Sequence, residues 1–161
     1  MEMEVQRHLN PIPVHNATDV VALLNELLTV VHDSLNGYRT VVEALEDGQY
    51  VALFNEYAQQ REQMGTELTN LVVRYGGHPQ QNGTVGAALH RVWMNIKAAA
   101  TQGDASILAE CDVSEEATLK AYQDAVASVH LPEEVREVIR NQMTLVRLAH
   151  ERVHALKALV N

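Results

Sequence analysis

The chain has 161 residues, 47% of them apolar but only 4% aromatic, so a core of single-domain size must be built from Leu, Val, Ala and Met. Its 21 acidic residues against 12 basic ones give a formal charge of −9 with no segregated Lys/Arg cluster, which argues against nucleic acid and anionic lipid as partners. No apolar run approaches the ~20 residues that a membrane span needs, the first residues lack an apolar signal segment, and the lone Cys111 has no internal disulfide partner; a cytoplasmic protein is expected.

Residues 1–16 read as an extended arm, because Asn10-Pro11-Ile12-Pro13-Val14 carries two helix-opposing prolines. The rest, 17–161, reads as one helical domain. Thr18 is a suitable N-cap, and a first long helix to about Asp47-Gly48 carries Leu24, Val31, Tyr38 and Leu45 at heptad spacing, with Val20, Leu27, Ser34 and Val41 as companions. A second long helix follows at once, with Phe54, Arg61, Leu68 and Tyr75 in one row and Tyr57, Met64 and Leu71 in another, stopped by Gly76-Gly77. After a loop rich in Gly, Pro and Asn, a shorter helix from about Val85 to Ala100 carries Leu89, Val92, Trp93 and Ile96. A third long helix, about Ser106 to Ser128, sets Leu108, Cys111, Glu115, Thr118, Tyr122 and Ala125 on its seam. Pro132 opens the last, whose inner stripe is expected to run through Val135, Ile139, Gln142, Val146, Ala149, Val153, Leu156 and Val160.

Four long helices and one short one make an all-α chain. At 1.5 Å per residue the short helix spans on the order of 25 Å, enough to carry the chain back along a bundle. The third long helix would then run in the direction of the second, the single-crossover topology of ferritin-like four-helix bundles; a five-helix up-and-down array is the alternative.

Several stretches also resemble a known family. REQMGTEL (61–68), Gly76-Gly77-His78-Pro79, AALHRVWMNIK (87–97), ILAECDVSEEATLKAY (107–122) and Ala149-His150-Glu151-Arg152-Val153 are similar, in this order, to segments of a bacterial family of ferritin-like four-helix-bundle proteins catalogued as a domain of unknown function. The resemblance spans roughly residues 20 to 157. It implies the bundle fold and no particular activity.

A ferritin-like fold raises the question of a di-iron centre, which needs an inward Glu from each of two helices and Glu-x-x-His from each of the other two. Glu151-Arg152-Val153-His154 has that spacing, but Glu62 is followed by Gly65 where the His is required, and no Glu lies between Glu26 and Glu43. If Val146, Ala149 and Val153 face inward, Glu151 and His154 face water. The same segment, His150-Glu151-Arg152-Val153-His154, spells the H-E-x-x-H pattern of zinc peptidases, yet no ligand follows it and a surface histidine pair is the plainer reading. More informative are charged residues at seam positions. Arg61 and Glu115 are expected to meet in the interior, with Ser34, His150 and Asp112 near by, as a buried polar network that fixes register. The chemical alternative is a small site: one metal (iron, manganese or zinc) held by Glu115, His150 and Asp112, against which the charge of Arg61 counts, or an anion or small ligand on Arg61.

No complete catalytic constellation is legible. The chain is therefore expected to be a non-catalytic bundle acting through self-assembly, as a homo-oligomer, or through a protein partner. A metal-binding protein with a reduced site around Glu115 and His150 is the competing reading.

Overall fold

The computed structural model describes residues 11–80, 87–128 and 131–160, without the side chains of residues 11–16, 87–90 and 92. Within these limits the chain is all-helical: α1 (Pro11–Ala44), α2 (Gly48–Arg74), α3 (Ala87–Ala99), α4 (Asp104–Val126) and α5 (Glu133–Val160). Among the described residues no helix is long and apolar enough to cross a membrane.

The start of α1 departs from the expectation. Residues 11–16, read as the end of an extended arm, are the first turns of a helix, and Thr18 lies inside it rather than at its cap. Pro11 and Pro13 fall in the first turn, where backbone N–H groups have no partner within the helix, so a missing N–H forfeits nothing there. Residues 1–10 of the arm, and Val85 at the expected start of the short helix, lie outside the described residues.

Heptad spacing gives each long helix one apolar face, and these faces meet in two core clusters. One joins Leu35, Tyr38 and Val41 of α1 to Phe54 and Tyr57 of α2, Trp93 and Ile96 of α3, Ile107 and Leu108 of α4, and Val153 and Leu156 of α5. The other joins Val20 to Val31 of α1, Met64 to Val72 of α2, Tyr122 of α4 and Val135 to Val146 of α5. The C-terminal part of α1 thus shares one end of the molecule with the N-terminal parts of α2 and α4.

Side chain–backbone bonds hold that arrangement. Asp104, in the first turn of α4, accepts from the N–H groups of Glu46 (2.9 Å) and Asp47 (3.0 Å) in the α1–α2 connection. Asp47 in turn caps α2 by accepting from Gln49 N at 2.8 Å. Arg136 of α5 donates to the carbonyls of Val126 and, at 2.9 Å, Ser128, occupying orphan acceptors at the end of α4. Asn25 of α1 clasps the connection after α2, donating to His78 O and accepting from Gln80 N. The α1–α2 and α4–α5 pairs pack most extensively, α3 lies on α1 and α4, and α2 touches α5 sparingly.

Candidate functional site

Two polar clusters flank α4 near mid-length, one enclosed and one at the surface. In the enclosed cluster, Arg61 of α2 and Glu115 of α4 are both fully buried, and Arg61 Nη2 donates to Glu115 Oε2 at 2.8 Å. Arg61 Nη1 donates to Ser34 Oγ of α1 at 3.1 Å, and its guanidinium carbon stands 5.4 Å from the centre of the Tyr38 ring. Tyr38 is itself surrounded by Phe54, Tyr57 and Trp93, with ring centroids at 5.4, 5.7 and 5.2 Å. Burial alone disfavours the guanidinium charge, but the Glu115 carboxylate outweighs it and raises the Arg61 pKa. Burial, then the Glu115 charge, pushes the neighbouring Cys111 thiol well up, so it stays protonated and inert. Arg61 Nε, Ser114 Oγ and Glu115 Oε1 are buried with no hydrogen bond to another protein group.

The surface cluster lies on the α4–α5 seam. Asp112, three residues before Glu115, is turned toward α5 and is only 5% exposed. Its Oδ1 lies 3.2 Å from His150 Nε2 and 3.1 Å from His154 Nδ1, while Oδ2 accepts from Lys157 Nζ at 3.1 Å. Burial opposes ionisation of Asp112, but the hydrogen bonds from Lys157 and His154 prevail and hold its carboxyl below the usual value. The side chain of His150 is 21% exposed and that of His154 66%, so the cluster opens onto water.

Of the residues singled out in the sequence, Arg61, Glu115 and Ser34 come together. His150 does not join them: it faces Asp112, on the outer side of α4. The set Glu115, His150 and Asp112 is divided in the same way, since Glu115 is turned inward to Arg61. His154 is exposed, as is Glu151, yet its ring reaches Asp112, a contact absent from the sequence reading. Asp112, His150 and His154 each offer a ligand atom, all within 4.8 Å of one another. Gln142 was also missed as more than a seam residue. It accepts from Tyr122 Oη at 2.7 Å and donates to Met64 O at 3.2 Å, tying three helices together in the other half of the core.

A family model described as "Domain of unknown function (DUF2383)" matches residues 19–128. The matched span contains Ser34, Arg61, Asp112 and Glu115 and stops short of α5 with its two histidines. No curated protein matches the chain.

Proposed function

Because the chain belongs to the DUF2383 family, whose description carries no activity, we propose its role from geometry: a non-catalytic, ferritin-like four-helix bundle that acts by pairing with a second copy of itself through α5. The ferritin-like assignment draws support from the Asp104 clasp, which starts α4 at the same end as α2, with α3 in the connection between them. That is the order of a single-crossover bundle. The non-catalytic assignment draws support from the Arg61–Glu115 pair. It lies in the bundle interior, toward which the metal ligands of ferritin-like folds project, and a fixed guanidinium there repels a cation.

The observation that carries the pairing is a stripe on α5. Val138, Asn141, Leu145, Leu148, Arg152 and Ala155 recur at intervals of three and four along one flank, with Leu148 55% and Leu145 36% exposed. The stripe is self-complementary. A second α5 laid antiparallel about a twofold axis between Leu145 and Leu148 sets Leu145 on Leu148 and Val138 on Ala155. It also sets Asn141 opposite Arg152, where the amide oxygen can accept from the guanidinium. The chain's charge is −9, yet this stripe holds no acidic residue, so two copies can meet along it without opposing carboxylates. Nucleic acid or an anionic membrane would meet the net charge instead. The buried unpaired Cys111 suits a reducing, cytoplasmic setting.

Light scattering on the full chain is expected to give the mass of a dimer. Leu148→Lys is expected to give a monomer with unchanged helical circular dichroism. Asn141→Arg, which sets like charges opposite one another, should give a weaker dimer that added Arg152→Glu restores. A monomeric parent, or a Leu148→Lys variant that stays dimeric, would refute the pairing. The competing assignment, a metal held around Glu115 and His150, loses Glu115 to Arg61.

A further inference from the structure

The surface cluster on the α4–α5 seam has a geometry that the pairing through α5 does not use. His150 and His154 stand one helical turn apart, their ring centroids 6.0 Å from each other, on the flank of α5 opposite the Leu145–Leu148 stripe. Asp112 faces them from α4, and His150 Nε2 and His154 Nδ1 lie 3.2 and 3.1 Å from the same oxygen, Oδ1. Ligand atoms held about 2 Å from a tetrahedral ion are roughly 3.3 Å from each other. Two edges of such a site are thus already set, and all three ligand atoms lie within 4.8 Å of one another.

We propose that Asp112, His150 and His154 form a divalent-cation site of the zinc class, which clips α5 to α4. Two imidazoles and one carboxylate are the borderline donor set that zinc favours, whereas calcium and magnesium require a shell of oxygens. The two histidines at i and i+4 lie on one face of α5, and the third ligand comes from a different helix, so binding cross-links two elements. Lys157 holds Oδ2 at 3.1 Å, and although His154 Nδ1 also reaches Oδ2 at 3.2 Å, Oδ1 is the oxygen that both imidazoles share. A hydrogen bond on the free oxygen of a ligating carboxylate is the usual support for its orientation. The exposure of His154 keeps the fourth position open to water or to a group from another molecule.

The test is calorimetric titration of zinc chloride into the metal-free full chain, with cobalt(II) absorption as a second readout. One saturable equivalent per chain is expected, with a visible cobalt spectrum of tetrahedral type and a zinc-dependent rise in Tm. His154→Ala removes an exposed ligand, so folding is kept, and it should weaken binding by more than about tenfold, since even outer partners of metal ligands are worth roughly 10–100-fold. Asp112→Asn should do the same, and His32→Ala should change nothing. Absence of saturable binding in the parent chain, or binding unaltered by His154→Ala, would overturn the proposal. The Leu148→Lys variant should bind zinc as the parent does, which keeps this test separate from that of the α5 pairing.

Discussion

Glu115 accepts from Arg61 with one oxygen at 2.8 Å, so the buried carboxylate has the guanidinium as its one charged partner among the described residues. Truncating it strands a fully buried guanidinium with Ser34 as its remaining hydrogen-bond acceptor. Glu115→Ala should therefore cost about 3–5 kcal/mol in urea denaturation. Arg61→Met combined with Glu115→Leu should regain much of that loss, because both charges are then gone. Simple additivity of the single and double variants would contradict the coupling. The buried tyrosines give a second check at this scale. Burial first, then the Glu115 charge, pushes Tyr57 up to about 12 from an ordinary 10.0, and burial raises Tyr38 and Tyr122 as well. A raised value means the folded chain keeps protons that the unfolded chain loses. Stability from these groups is full below pH 10.0 and declines as pH rises toward 12. Phenolate absorbance should accordingly appear together with loss of helix; phenolate forming at these positions near pH 10.0 in a folded chain would contradict it.

At the scale of elements, α3 depends on one small residue. A Cβ placed on Gly37 of α1 would lie 2.2 Å from Cε3 of Trp93, the chain's one tryptophan, so the rings of α3 seat only against a bare backbone. Gly37→Ala should lift α3, red-shift the tryptophan emission and destabilise by about 1–3 kcal/mol; an unshifted emission would count against this docking. The long helices were legible because Leu24, Val31, Tyr38 and their counterparts recur at seven-residue spacing and each is buried or nearly so. The start of α1 was not, because a proline looks like a breaker until its place in the first turn is known. Nor were the Asp104 and Asn25 clasps, which join side chains to backbone groups more than fifty residues away and leave no local pattern.

For the whole molecule, the division between an enclosed ion pair and an open histidine cluster follows from three residues of α4. A step of three turns the helix by about −60°, so Glu115 enters the interior while Asp112 is turned to the α5 seam. Seam arithmetic finds the charged residues of the interior but groups His150 with them, because it does not resolve which side of α4 that histidine meets. The H-E-x-x-H segment lacks a downstream ligand, whereas the third donor lies upstream, on another helix. At the same zinc concentration Tm should rise less in His154→Ala than in the parent chain, since a ligand stabilises only the state that binds it and in proportion to its affinity.

We propose that the interior, closed by the Arg61–Glu115 ion pair, does no metal chemistry, and iron analysis with a ferrous oxidation assay tests this. Protein produced in iron-rich medium should carry less than stoichiometric iron and oxidise ferrous ion no faster than buffer, in both the parent and His154→Ala. Stoichiometric iron with rapid oxidation, retained in His154→Ala and lost in Glu115→Ala, would contradict it.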